Sequence, residues 1–319
     1  MAKPLKIVHL DGVHCPSPTF TIPHTYTEYP NTTDLSTVAS RIGDADVVIT
    51  TRIPITASTL DQCPGLKLIA VQAIGTDMID LAACKARNVV VTNVPAASNE
   101  SVAEHAIALY FAIRRNITGM HEMMVQGDEW VKKGAVTSLW TGVPRTCREE
   151  VMGIIGGGEL ATIGRALGMT VQISERKSVA PSSTRPSRIP FPTVLQTSTI
   201  LMITLPLTPS THSLISSPEF ALMRSDAILI NVARGGIVDE DALVDALREN
   251  RIAGAAADVF SREPAGRENV LVREGGMGGR LVLSPHVAWF ARSSIEKLRR
   301  TVVENIEAWV GGEVRNVVV

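Results

Sequence analysis

Nine short apolar runs recur along this chain, and none of them alternates with polar residues. They are LKIVHL (5–10), ADVVIT (45–50), LKLIAV (66–71), VVVT (89–92), VMGII (151–155), TVQIS (170–174), TILMIT (199–204), AILIN (227–231) and GAAAD (254–258). A strand that is apolar on both faces has to be covered on both faces, which is the pattern of parallel strands beneath helices. Helical periodicity falls between the runs, at 101–115, at 240–249 after Asp239, and at 294–310 before Gly311 and Gly312. Asn99 is placed to cap the first of these helices, and the glycine pair to stop the last. Strand alternating with helix, twice over, predicts an α/β protein of two doubly wound parallel-sheet units.

A length of 319 residues exceeds what one core usually holds. The boundary is expected just before residue 101, with the last helix returning to the first unit. The expected domains are therefore 1–100 together with 293–319, and 101–292. The aperiodic segment SVAPSSTRPSRIPF (178–191) reads as a surface loop inside the second unit rather than a linker. A net charge of -1 gives no basic surface for nucleic acid or an anionic membrane, and 45% hydrophobic residues exclude disorder. No run approaches the roughly 20 apolar residues of a membrane helix. The N-terminal MAKPLKIVHL lacks a signal-peptide pattern, and NVVV at the other end is no peroxisomal tripeptide. Cys15, Cys63, Cys84 and Cys147 are scattered without metal-ligand spacing, so reduced thiols in a soluble cytoplasmic protein, with no metal, are expected.

The stretch VMGIIGGGELATIGRALGM (151–169) joins a strand to a glycine turn. Gly156 to Ala161 fits G-x-G-x-x-G/A, with Ala161 in the last place. Gly156 permits the tight turn, Gly158 lets backbone approach a pyrophosphate, and Ala161 is small enough for helix–strand packing. Amides at the start of the helix, from Glu159 and Leu160 onward, would face the phosphates. The next strand leads to Glu175, 19 positions after Gly156, close to the roughly 20 expected of a ribose-binding acid. Its carboxylate favours NAD, while Arg176 and Lys177 keep NADP open. The plain alternative is a glycine-rich turn followed by a solvated glutamate.

Three further stretches narrow the reading: NVARGGIVDE (231–240), AADVFSREP (256–264) and LSPHVAW (283–289). Together with LKLIAVQAIGTDMIDL (66–81) and VTNVPAASNESVAEHAIAL (91–109), their order resembles the D-isomer-specific 2-hydroxyacid dehydrogenases over nearly the whole chain. The resemblance implies a flavodoxin-like substrate domain and a Rossmann NAD(P)-binding domain. It also implies hydride transfer between the nicotinamide cofactor and a small 2-oxo or D-2-hydroxy acid, as in glyoxylate and hydroxypyruvate reductases. By match to the family's motifs, Arg234 holds the substrate carboxylate and carbonyl, His286 transfers the proton, and Glu263 pairs with it. Ile74 and Gly75 match backbone donors to the carboxylate. Gly156, Gly158, Glu159, Leu160, Glu175, Arg176, Thr204, Leu205, Pro206, Val232 and Asp258 match positions around the cofactor.

These residue types suit the chemistry. Hydride addition to a 2-oxo acid leaves charge on oxygen that an imidazolium can discharge, and a neighbouring carboxylate favours the protonated ring. A guanidinium offers a planar fork for the substrate carboxylate. Singly, each of the three has a structural alternative, and their joint order is what favours catalysis. His9, His24, His105, His121 and His212 lack such company and are expected to be structural or superficial. Relatives carry roughly four more residues before Leu167-Gly168-Met169, about one turn or 6 Å of helix, so a shortened helix and weaker pyrophosphate contacts are expected. Glu159 adds negative charge there.

Glu263 argues against a formate dehydrogenase, where an amide is found, and the length against an added regulatory domain. A corepressor-like cofactor binder, or a catalytically weakened member, is the alternative. A homodimer is expected, built partly on the helix from Ser101 and the segment to Trp140, because that helix is apolar nearly all round and requires cover.

Overall fold

In the computed structural model, which describes residues 4–137, 142–157 and 159–319, each of the nine apolar runs contains a strand. The chain divides into two units, Met1–Ser98 with Trp289–Val319, and Asn99–Ala288.

The first unit carries β1 (Leu5–His9), β2 (His24–Glu28), β3 (Val47–Thr50), β4 (Leu68–Val71) and β5 (Val90–Thr92), with α1 (Val38–Ile42), α2 (Ala57–Gln62) and α3 (Leu81–Ala86). All strands are parallel, in the order β2-β1-β3-β4-β5, the flavodoxin-like arrangement. Every residue of β3 and β4 is buried. Side chains alternate between faces: Val48 and Ile69 meet Leu60 and Ala83 on one side, while Val47, Ile49, Leu68 and Ala70 form a separate cluster on the other. β2 escapes the apolar pattern because it is a half-exposed edge strand of sequence HTYTE.

The second unit carries α4 (Asn99–Arg114), α5 (Ile117–Gln126), α6 (Glu129–Lys133), β6 (Val151–Ile155), α7 (Leu160–Ala166), β7 (Thr170–Ile173), α8 (Phe191–Thr197), β8 (Ile200–Ile203), α9 (Ser217–Leu222), β9 (Ile228–Asn231), α10 (Glu240–Arg248), β10 (Gly254–Ala257), α11 (Val270–Glu274) and β11 (Leu281–Leu283). Its parallel sheet runs β11-β10-β9-β8-β6-β7. Beyond β7, Ile189 makes one parallel bridge to Ser174. Counting that bridge as a strand gives the order 3-2-1-4-5-6-7, the Rossmann order 3-2-1-4-5-6 with β11 added at its edge. The bridge ends there because Pro190 leads straight into α8 at Phe191. The segment 178–191 is thus a loop that holds the place of a strand.

α12 (Arg292–Val310) belongs to the first unit, where Leu298, Val302 and Ile306 cover the second face of its sheet. Gly312, at φ +85°, follows its end, and the tail returns to β5 through hydrogen bonds between Val91 and both Val318 and Val319. Asp239 caps α10 by accepting from the Ala242 amide at 3.1 Å. Asn99 lies within α4 rather than capping it.

α4 is also where the expected reason for a partner subunit fails. Ala103, Ala106, Ile107 and Tyr110 pack on Ile228, Ile230, Ala256 and Val282 of the same unit, so the sheet covers this helix. Exposed apolar side chains lie on α5 and α6 instead, including Met124, Val125, Trp130 and Val131. Trp140 lies outside the described residues. Among the described residues no helix is long and apolar enough to cross a membrane.

One ion pair pins α4 to the start of β6. Arg114 Nε lies 2.7 Å from Glu150 Oε1, with side-chain exposures of 9% and 0%. The Thr199 hydroxyl also donates to Glu150, and Arg114 Nη2 donates to the Thr199 carbonyl at 3.2 Å. Removing one charge strands the other, so Arg114→Met is expected to cost about 3–5 kcal/mol. Arg114→Met with Glu150→Leu should recover most of that loss. Urea denaturation would test this, and a single-mutant effect under about 1 kcal/mol would show that the pair is solvated.

Candidate active site

Parallel strands run the same way, so the turns that follow them gather along one edge of the sheet, the ligand-binding edge of open α/β units. In the second unit every expected residue among the described ones lies in a turn after one of those strands or at the start of the helix beyond it.

After β6, Gly156 has φ +132°, and a Cβ there would meet the Thr204 hydroxyl at 2.5 Å and its carbonyl carbon at 2.8 Å. Only glycine lets the turn approach the exit of β8 so closely. Thr204 closes the contact, its hydroxyl accepting from the Gly157 amide at 3.3 Å and donating to the Gly157 carbonyl at 3.1 Å as alternative geometries. Gly158 lies outside the described residues. Glu159 is exposed, and α7 is seven residues long, as short as expected. Leu160 is buried, and Ile163 and Leu167 pack with it on the sheet, so the short helix keeps its apolar stripe. Leu160 can therefore face a phosphate only through its backbone. Leu205 is half-buried, Pro206 exposed and Val232 buried.

After β7, Glu175 is 2% exposed. Its Oε1 accepts from the Arg176 amide at 2.8 Å and Arg185 Nη2 at 2.5 Å. Its Oε2 accepts from Arg185 Nε at 2.8 Å and the Arg185 amide at 3.1 Å. The Arg185 side chain, then the Arg176 amide, hold this carboxyl far below the ordinary carboxylate range. Arg188 Nη1 donates to the carbonyls of Ser174 at 2.9 Å and Gly156 at 3.3 Å. Lys177 turns away, with Nζ 2.8 Å from Glu219.

After β9, Asn231 shapes the Arg234 turn. Its side chain accepts from the Ala233 amide at 3.1 Å and donates to the Arg234 carbonyl at 3.0 Å. A Cβ on Gly235 would sit 1.8 Å from the Phe260 carbonyl oxygen, so this turn lies directly against the one after β10. In that neighbouring turn Glu263 accepts from the Phe260 amide at 3.0 Å through Oε1. Through Oε2 it meets His286 Nδ1 at 2.6 Å. His286 itself is in the left-handed region, at φ +56°.

The loop bearing His286 is tied to Asp258, whose residue is fully buried. Its Oδ1 accepts from the Ser284 hydroxyl at 2.6 Å and the Val287 amide at 3.0 Å, and its Oδ2 from the Ala288 amide at 2.9 Å. Its carbonyl accepts from the His286 amide at 2.7 Å. His105 of α4 joins the group, Nε2 lying 2.9 Å from the Ser284 hydroxyl and 3.5 Å from Asp258 Oδ1. Burial pushes the Asp258 carboxyl up, but these hydrogen bonds outweigh it and the net shift is downward.

The structure thus joins Arg234's turn, Glu263, His286 and Asp258 in one cluster, and joins Gly156 to Thr204. His105, expected to be structural or superficial, braces this loop from α4. Its partner Ser284 lies 179 positions away in sequence, so spacing carried no signal of the contact. Arg185 and Arg188 were missed because they lie in an aperiodic loop. Ile74 and Gly75 belong to the first unit, in the turn after β4, where the Ile74 carbonyl accepts from the Asn93 side chain at 2.7 Å.

Residues 107–288 match the family described as D-isomer specific 2-hydroxyacid dehydrogenase, NAD binding domain. A glycerate dehydrogenase of Methylorubrum extorquens is 36% identical over 303 residues, covering 94% of this chain and 93% of its own. A hydroxypyruvate reductase of Blautia hydrogenotrophica is 30% identical, covering 90% of this chain and 88% of its own. An acyclic imino acid reductase (Bsp5) in complex with NADPH and D-Arg is 25% identical, with a TM-score of 0.79 over 99% of this chain and 100% of the other.

Asp258→Asn places an amide donor against backbone N–H groups, and is expected to cost about 1–3 kcal/mol. Because folding lowers the Asp258 pKa, its contribution is present at neutral pH and is lost as pH falls below its ordinary value of 3.8. The variant should therefore lose stability at pH 7 and show a flatter acid limb. Urea denaturation from pH 2 to pH 7 reads both, and an unchanged acid limb would remove Asp258 from this role.

Proposed function

Since this chain belongs to the D-isomer specific 2-hydroxyacid dehydrogenase family, an NAD(P)-dependent group of oxidoreductases, we propose that it reduces a small 2-oxo acid through His286, Glu263 and Arg234. The observation that carries this reading is the 2.6 Å contact between Glu263 and His286 Nδ1, packed against the Arg234 turn. With Nδ1 held by the carboxylate, we assign proton transfer to Nε2 on the other side of the ring. Glu263 fixes the ring's orientation through that contact. Arg234 receives the substrate carboxylate through its planar guanidinium. In the first unit, Ile74 and Gly75 contribute backbone donors. The close approach at Gly156, which a Cβ would fill, suits a dinucleotide turn made by Gly156, Gly158, Glu159, Leu160 and Thr204 to Pro206, with Val232 nearby. The bound nicotinamide supplies the hydride. The relatives' names make glyoxylate and hydroxypyruvate the substrates of choice for assay.

We assign the chain to the cytoplasm, in keeping with four unpaired thiols, three of them buried. We also propose a homodimer, for which the exposed apolar residues of α5 and α6 supply the surface: Val125 is 71% exposed, Trp130 52% and Val131 83%.

Steady-state oxidation of NADH and NADPH with both oxo acids tests the activity. His286→Ala should lower kcat by about 10²–10⁴-fold while nucleotide binding is retained. Wild-type turnover in that variant would exclude His286 from proton transfer.

Light scattering at micromolar concentration should give about twice the 34.2 kDa chain mass, and a mass near 34.2 kDa would exclude the dimer.

A further inference from the structure

The acid that follows the second strand of a dinucleotide-binding unit ordinarily accepts hydrogen bonds from the adenosine ribose and repels a 2′-phosphate. In this chain that carboxylate is already used. An ionised carboxylate has about four lone-pair sites. Glu175 receives four donors, two on each oxygen, and three of them come from Arg185. A ribose diol would have to displace a bidentate, charge-assisted pair, the strongest kind of hydrogen bond available to it.

The groups facing outward at the same place are cationic. A cleft of about 250 Å³ is lined by Glu175, Arg176, Val179, Ser183 and Arg185. The Arg185 side chain is 53% exposed while that of Glu175 is 1% exposed, so the arginine, not the acid, meets solvent. Arg185 commits Nε and one Nη2 hydrogen to Glu175, and a guanidinium has five N–H donors in all. Arg176 is exposed beside it, and Arg188 lies on the carbonyls of Ser174 and Gly156. Three cationic side chains thus belong to this turn and its loop, against one buried carboxylate that Arg185 already pairs. A phosphate monoester brings about -1.5 to -2 charge near neutral pH, together with strong acceptor oxygens.

We infer that Arg185, by saturating Glu175 and presenting its guanidinium beside Arg176, makes this ribose subsite a 2′-phosphate site, so that the enzyme selects NADP(H) over NAD(H). The inference rests on the reading of the second unit as a dinucleotide site. It reverses the preference expected from Glu175 alone, because that expectation required an acid with acceptor capacity to spare.

The test is binding to the full-length protein by calorimetry, with NADPH against NADH and adenosine 2′,5′-bisphosphate against AMP. The phosphorylated member of each pair should bind tighter by about tenfold or more, as expected for gaining charge-assisted hydrogen bonds. Arg176→Ala, which leaves the Glu175 pair intact, should weaken NADPH by about tenfold and weaken NADH less, so that the preference for NADPH shrinks. Arg185→Ala should both weaken NADPH and tighten NADH, since it removes phosphate donors and releases the carboxylate to the ribose. A merely structural role for Arg185 would weaken both nucleotides alike and would overturn the inference. So would wild-type NADH binding as tight as NADPH. Failure of every nucleotide to bind would overturn the dinucleotide reading itself, and this inference with it.

Discussion

A single buried carboxylate, Asp258, organises the region where chemistry is assigned. It ends β10 and gathers the Ser284 hydroxyl and the amides of Val287 and Ala288, while its own carbonyl holds the His286 amide. An ionised group out of water is costly unless it is fully hydrogen-bonded, and these donors meet that demand. The consequence is mechanical. His286 is held at φ +56°, in the left-handed region, between Ser284 and Val287, which are both tied to the same carboxylate. The ring then has one orientation in which Nδ1 meets Glu263. His105 extends the network to α4, so a helix on the face of the sheet braces a loop at its edge.

The sheet sets where such a network can form. Six parallel strands deliver six turns to one edge, and each turn needs backbone close to its neighbour. Two glycines meet the tightest of these requirements. Gly156 admits Thr204, and Gly235 admits the Phe260 carbonyl. The first approach assembles the glycine turn with the exit of β8. The second brings the arginine turn onto the turn that carries Glu263. A side chain at either position would separate groups that the assigned mechanism requires to act together, which is why small residues and chemistry coincide here.

The fold was largely legible from sequence because its signal is local. A run such as ILMI in β8 or LIAV in β4 reports burial on both faces without knowledge of its neighbours. β2 was not legible, since an edge strand of Thr and Tyr has no buried second face. The cover of α4 was misjudged for a related reason. An apolar circumference says that a helix is buried, and the partner that buries it is settled only by tertiary packing, here the helix's own sheet. Glu263 and His286 were found through motifs that preserve order along the chain. His105 and Ser284 were not, because their contact spans 179 positions and neither residue type is unusual where it stands.

The glycine turn shows how local and distant effects combine. A helix of seven residues has little length with which to hold the sheet, yet Leu160, Ile163 and Leu167 keep their spacing of three and four and remain packed. Its length therefore spares the core, and what varies is the charge at its N-terminal end. There the exposed Glu159 is screened by water, whereas Arg188 is fixed on the Gly156 carbonyl by a hydrogen bond. Charge at the turn therefore has two sources, and the cation is the one fixed at hydrogen-bond distance from its backbone. The loop 178–191, which looked like filler in the sequence, thus supplies positive charge to the turn through Arg188 and occupies the Glu175 carboxylate through Arg185. It bears on the charge of the turn as the glycines bear on its geometry, and a motif read without the loop leaves out both arginines.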